Sequence, residues 1–273
     1  MATIAYLGPE QTNTHMAAQK RFGRRSRYLH APTVDDVFHL VERRRATYGV
    51  VPVENSLEGA VTHTLDRFID FVDTPITIHG EIEQPIRHCL LLAPGTTLGA
   101  VALVYSHPQA LAQCRRWLSQ HLPHAASRET SSTAEAVTYA LQHPSVRAAI
   151  GRQELARQHR LKAVPIPEER ENRTRFLVLG LGAPPRGRRN KTSMLVALKD
   201  RPGALHDALV PFKQGRINLT KIESRPSKRK AWEYLFFIDL EGHIAEPRMQ
   251  RALKALERST SLLRVLGSYP VST

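Results

Sequence analysis

The sequence predicts an α/β protein with a smaller βαββαβ unit at its C-terminal end. Three observations predict it. Short apolar runs alternate with helical patterns through residues 1–180, and strands that alternate with helices imply a largely parallel sheet. Gly180 to Asn190 is rich in Gly, Pro and Arg and offers almost nothing to bury, which marks a boundary. About 80 residues then follow in the order strand, helix, strand, strand, helix, strand, the split unit of ferredoxin-like folds.

In the first part, apolar runs predict strands at 48–53, 89–93, 101–105 and 176–179. Helical patterns fall near 14–22, 34–45, 57–71, 109–120, 133–142 and 152–160. In the second part the spacing predicts strands at 193–199, 217–224, 232–240 and 262–268, with helices at 203–214 and 247–258. Gly203 after Pro202 opens the first of these helices. Gly215 closes it, where a glycine tolerates a left-handed backbone.

Composition narrows the function. The 273 residues suggest about two domains. No apolar stretch approaches the roughly 20 residues of a membrane span. MATIAYLGPE lacks the charged and apolar regions of a signal peptide, so a cytoplasmic protein is expected. Cys89 and Cys114 form no CxxC pair and are expected to be buried, reduced thiols. The net charge is +14, with 30 arginines and 9 lysines. That balance favours an anionic partner. The basic clusters Lys20–Arg27, Arg43–Arg45, Arg186–Lys191 and Lys228–Lys230 are scattered, with few aromatics interleaved. Nucleic-acid grooves usually combine the two, so an arginine-rich solvated surface is the expectation, with no nucleic-acid or membrane partner.

Polar motifs stand where strands give way to helices. Leu7 to Thr12, Glu54-Asn55-Ser56, Ser106-His107-Pro108-Gln109 and Ser131 to Glu135 are four such places. Ser132 and Glu135 have capping-box spacing. Ligands of open α/β sheets bind at the carboxyl ends of strands, and helix N-termini offer unpaired N–H groups to anions. Each motif alone is an ordinary helix cap. Together they point to one small anionic ligand. Nucleophile elbows, phosphate loops, HExxH motifs and a complete dinucleotide fingerprint are absent, and no metal or cofactor is expected. Residue patterns alone do not name a reaction.

Six motifs in order carry a resemblance. Tyr6 to Thr12, Val51 to Gly59, Ser106 to Cys114 and Glu171 to Phe176 resemble the signature elements of the prephenate dehydratase family. Gly203-Ala-Leu-His206 and Glu223-Ser-Arg-Pro226 resemble the paired effector motifs of its ACT domain. The resemblance covers about residues 4–270. It implies a two-lobed, periplasmic-binding-protein-like catalytic domain over 1–181, a linker over 182–191 and an ACT regulatory domain over 192–273. One departure stands out: the family's first loop usually reads GPxGT, and Gln11 occupies the glycine position, with Asn13 in place of a usual aromatic.

The activity the resemblance implies is loss of water and CO2 from prephenate to give phenylpyruvate. Aromatisation drives the reaction, so the protein chiefly orients a dianion and assists the departing hydroxide. The resemblance implies Thr174 beside that hydroxyl and Arg175 on a substrate carboxylate, where a guanidinium binds bidentately. Thr12, Asn55, Ser106, Gln113 and Ser132 are the implied substrate-binding groups. For the effector L-phenylalanine it implies Gly203, Ala204, Leu205, His206 and Asn218 at the polar end. Glu223, Ser224, Arg225 and Pro226 would form a facing wall, in a homodimer or homotetramer. With no long helical extension before the first strand, a single activity is expected. Arogenate dehydratase, a non-catalytic metabolite sensor and a nucleic-acid binder are the competing readings. The intact Thr174 argues against the sensor.

Overall fold

The computed structural model describes residues 1–71, 73–167, 172–227 and 233–272. In chain order its elements are β1 (Thr3–Leu7), α1 (Asn13–Phe22), β2 (Arg27–Ala31), α2 (Val34–Glu42), β3 (Tyr48–Asn55), β4 (Gly59–Ala60), α3 (Thr62–Asp70) and β5 (Ile76–Pro85). Then come β6 (Cys89–Leu92), β7 (Leu103–Ser106), α4 (Pro108–His121), β8 (Ala126–Glu129), α5 (Thr133–Gln142), β9 (Arg147–Gly151), α6 (Gln153–Gln158), β10 (Lys162–Pro165) and β11 (Arg173–Leu181). The last part is β12 (Asn190–Leu198), α7 (Ala204–Gln214), β13 (Leu219–Pro226), β14 (Tyr234–Glu241), α8 (Pro247–Glu257) and β15 (Thr260–Pro270). The expected basic cluster Lys228–Lys230, the start of the strand expected at 232 and Glu171 of the fourth motif lie outside the described residues. None of the helices is long and apolar enough to cross a membrane, among the described residues.

The chain folds as two compact units. The first gathers Met1–Pro9, Ala17–Glu83 and Arg175–Thr273, and the second gathers Glu10–Met16 and Gln84–Thr174. In the first unit a sheet runs β2-β1-β3-β11-β5, with β4 paired to β3. The pairs β1/β2 and β1/β3 are parallel. Helix α2 shows why it forms. Val34, Val37, Phe38 and Val41 recur at helical spacing and are buried, and Thr33 accepts a hydrogen bond from the Asp36 N–H at 3.1 Å as N-cap. It stops at Glu42 rather than at the expected 45, because Arg44 takes a left-handed φ of 57°.

A second sheet of this unit runs β13-β14-β12-β15 and is antiparallel throughout. With α7 and α8 it makes the expected βαββαβ unit. Its central strand is buried on both faces, and the alternation of side chains sorts them. Met194 and Val196 pack with Ala208, Phe212, Met249 and Leu256 of the helices. Leu195 and Ala197 join Phe237, Leu266 and Tyr269 in a core that also holds Leu65, Phe68, Ile76, Ile78 and Leu177. The C-terminal sheet is therefore welded to the first sheet. At Gly267 the approach is so close that a Cβ would stand 2.3 Å from the Ile78 carbonyl oxygen.

The second unit holds a sheet ordered β10-β6-β9-β7-β8. It is mixed rather than purely parallel. β7 is parallel to β8 and β9, while β6 is antiparallel to both β9 and β10. The cause is connectivity: α4, α5 and α6 provide crossovers that keep strands parallel. β6 follows β5 with no helix between and inserts the other way. Cys89 and Cys114 are buried in this unit and form no disulfide, as expected.

Candidate active site

The loop from Gly8 to Thr12 feeds α1. Thr12 Oγ1 accepts from the His15 N–H at 3.3 Å, and the Thr12 carbonyl accepts from Met16 at 3.1 Å, so Thr12 caps the helix. Gln11, at the glycine position, has φ 66°, a left-handed backbone that costs a non-glycine residue about 1–2 kcal/mol. Its N–H donates to His15 Nδ1 at 3.0 Å, which fixes the imidazole with Nδ1 as acceptor. Burial, with Arg152 nearby, lowers the His15 pKa against the pull of Glu10, so this ring is neutral at pH 7. The Gln11 carbonyl accepts from Arg152 Nη2.

Ser106 ends β7. It is completely buried, and its hydroxyl donates to the Ile150 carbonyl on neighbouring β9 at 2.8 Å. The hydroxyl hydrogen is thus used inside the sheet. It is His107 that caps α4, through Nδ1 and the Gln109 N–H at 3.3 Å. Gln113, one turn into that helix, is held by two donors. Its Oε1 accepts from Asn172 Nδ2 at 2.9 Å and lies 2.7 Å from His88 Nε2. Asn172 is buried, and Thr174, two residues on, is half-buried at the start of β11. Ser132 caps α5, accepting from the Glu135 N–H at 3.0 Å, and the Glu135 carboxylate reaches back to the Ser131 N–H at 2.7 Å. The capping box thus forms with its return arm one residue earlier than the motif prescribes. The Ser131 hydroxyl, donating at 2.6 Å, and the Ser131 N–H hold the Glu135 carboxyl below its ordinary pKa. Thr12, Ser106, Gln113, Ser132 and Thr174 all belong to the second unit.

Asn55 ends β3 in the first unit. Its Oδ1 accepts from the Leu57 and Glu58 N–H groups at 3.0 and 3.3 Å. This turn, with Gly59 at φ 85°, returns the chain as β4 instead of starting the helix expected at 57. Helix α3 begins only at Thr62.

Arg175 stands at the centre of a charge cluster. Side chains alternate along a strand, so Thr174 and Arg175 leave opposite faces of β11. The Arg175 guanidinium reaches Asp239 at 2.7 Å, Glu54 at 2.8 Å and Glu81 at 3.3 Å. Lys191 also pairs with Glu81 at 2.7 Å, and Lys221 with Glu54 at 2.9 Å. Three acids and three bases balance. Asp239 further accepts from the Ser193 hydroxyl at 2.6 Å, which lies 2.7 Å from the buried Tyr269 hydroxyl. Burial opposes the Arg175 charge, but Asp239, Tyr269 and Glu81 outweigh it and raise its pKa above the usual arginine value. The same burial raises Glu54, and Lys221 and Arg175 more than reverse it. In the structure Arg175 pairs with the protein's own carboxylates, because the C-terminal sheet presents Asp239 to it.

The effector residues lie in the C-terminal unit. Gly203, at φ 78°, begins α7, and Ala204, Leu205 and His206 make its first turn. His206 Nδ1 stands 3.1 Å from Asp207. Asn218 is exposed just before β13. Glu223, Ser224, Arg225 and Pro226 lie on β13, an edge strand. Ser224 and Pro226 face solvent. Arg225 turns to Asp66 of α3 at 3.0 Å. Sequence reading missed Glu81, Asp239, Lys191 and Lys221, which no local motif marks. It also missed Arg152, whose position just after an apolar strand could have flagged it.

Fold and site define an α/β protein with polar groups at strand ends for a small anion, and an ACT-type unit fused to it. A prephenate dehydratase model matches residues 4–183, and an ACT domain model matches 192–258. The chain is 48% identical over 269 residues to the bifunctional chorismate mutase/prephenate dehydratase of Aquifex aeolicus, covering 98% of this chain and 73% of that protein. It is 37% identical over 274 residues to the prephenate dehydratase of Amycolatopsis methanolica, covering 98% and 88%. The crystal structure of prephenate dehydratase in complex with L-Phe from Arthrobacter aurescens superposes with a TM-score of 0.86 at 33% identity, over 98% of this chain and 89% of that one. The chain belongs to the prephenate dehydratase family, whose members are carbon–oxygen lyases.

Proposed function

We propose that Thr174 is the group that acts on the leaving hydroxyl as prephenate loses CO2 and water to become phenylpyruvate. As the ring carboxylate leaves as CO2, its electron pair enters the ring. The C–O bond to the ring hydroxyl breaks, and a hydrogen bond from the Thr174 hydroxyl offsets the charge gathering on that oxygen. The observation that carries the reading is the half-buried Thr174 on the face of β11 opposite the Arg175 cluster, two residues beyond Asn172, which holds Gln113. Thr12 and Ser132 are the caps of long helices, where backbone N–H groups suit a carboxylate. Gln113 and Asn55 keep the roles their motifs imply. Residues 1–181 form the catalytic part and 192–273 the regulatory part, joined by 182–191.

L-Phenylalanine is the effector. It binds at Gly203–His206 and Asn218, against the β13 segment of a second copy, in a cytoplasmic homodimer or homotetramer. Feedback follows if it binds one conformation better than another. The Arthrobacter aurescens relative, which was solved with L-Phe, supports this. The test is phenylpyruvate formation from prephenate, followed by absorbance in alkali, for the parent and Thr174→Ala. The expected loss is about 10²-fold or more in kcat. A fully active variant overturns the role, and a parent active on arogenate but not prephenate moves the substrate.

A further inference from the structure

With Arg175 committed to the protein's own carboxylates, a dianionic substrate needs another cation. Arg152 follows β9 directly and is 7% exposed. Its Nη2 donates to the Gln11 carbonyl, while Nε and Nη1 are buried without a hydrogen-bond partner among the described residues. No described carboxylate pairs with it. Burial lowers its pKa, and Glu154, exposed and beyond ion-pair distance, only partly offsets this. A buried guanidinium with two open donor atoms is costly unless an anion completes it.

Its surroundings suit an anion. Arg152 stands at the carboxyl end of β9, beside Ser106 at the carboxyl end of parallel β7, whose hydroxyl bonds to Ile150. Through Gln11 it also adjoins the N-terminus of the ten-residue helix α1. His15, in the first turn of α1, is neutral and leaves the positive charge here to Arg152.

We propose that Arg152 binds the side-chain carboxylate of prephenate, a site that rests on the substrate reading above. The chemistry selects this carboxylate over the one on the ring. The ring carboxylate loses its charge as CO2 departs, so an arginine there would hold the ground state more tightly than the transition state. The side-chain carboxylate keeps its charge throughout and survives in phenylpyruvate. Arg152 therefore contributes uniform binding, which appears in KM and leaves kcat little changed.

The experiment measures KM and kcat for prephenate, and the affinity for phenylpyruvate by calorimetry, in the full chain, Arg152→Met and Arg152→Lys. For Arg152→Met, KM and the phenylpyruvate Kd should both rise about 10- to 100-fold, as expected for a lost charge-assisted hydrogen bond, with kcat within a few-fold. Arg152→Lys, which keeps the charge but loses the planar fork, should show a smaller parallel rise and stands in if the Met variant does not fold. Both constants within twofold of the parent would overturn the proposal, since Arg152 then merely holds Gln11. A raised KM with unchanged phenylpyruvate Kd would overturn it too, because the bound carboxylate would be the one that departs. A parent that binds phenylpyruvate but does not turn over prephenate would fail the substrate reading while the calorimetric comparison still judges Arg152.

Discussion

Arg175→Met separates a structural cation from a substrate ligand. In the parent, Arg175 is the sole ionic partner of Asp239 among the described residues, and their side chains are only 11% and 10% exposed. Glu81 retains Lys191 and Glu54 retains Lys221, so the loss falls on Asp239, which keeps only the Ser193 hydroxyl. Removing one partner of a buried ion pair costs about 3–5 kcal/mol. For a chain of this size that lowers Tm by about 6–20 °C. Arg175→Met with Asp239→Asn removes both charges and should recover at least half of the loss, since contacting residues do not add. The assay is thermal unfolding by circular dichroism, beside KM for prephenate. If Arg175→Met melts within about 3 °C of the parent while KM rises tenfold or more, the guanidinium serves the substrate and the reasoning fails. The expected pattern is a large drop in Tm with KM near the parent's. It would also show that the strand carrying Thr174 is clamped to the sheet of the ACT unit by charge.

Two further outcomes follow from the first loop. Gln11→Gly relieves a φ of 66° and should raise stability by up to about 1 kcal/mol, less whatever the freer unfolded chain takes back; denaturant unfolding reads it, and a loss of more than 1 kcal/mol would mean the Gln11 side chain holds the loop. His15 is neutral in the fold, its pKa lowered from 6.5 by burial and by Arg152. A lowered pKa means that its contribution is complete above pH 6.5 and disappears as pH falls through the folded value. The Tm advantage of the parent over His15→Gln should therefore shrink between pH 7.5 and 5, and an advantage constant across that range would refute the linkage.

Much of the molecule was legible in the sequence because it rests on local chemistry. The period of apolar residues placed the eight α-helices and the strands β3, β6, β7 and β11 to β15, though not β2, β5, β8, β9 or β10, and Ser132 with Glu135 foretold the cap of α5. Gln11 in a glycine's place announced a left-handed turn. The helix expected at 57 failed for a local reason as well: the Asn55 side chain ties Leu57 and Glu58 into a turn, and a side chain that competes for backbone N–H groups defeats periodicity.

The tertiary structure alone decided the destinations of the charged groups. Thr174 and Arg175 are adjacent in one motif, and the strand they share sends them to opposite faces, but what waits on each face is set by distant segments. Asp239 lies 64 residues from Arg175, Glu81 lies 94 away and Gln11 lies 141 from Arg152. No spacing rule reaches that far. A charged side chain declares what it can bind, but only the packing of distant strands determines whether its partner is the protein or is left for a ligand.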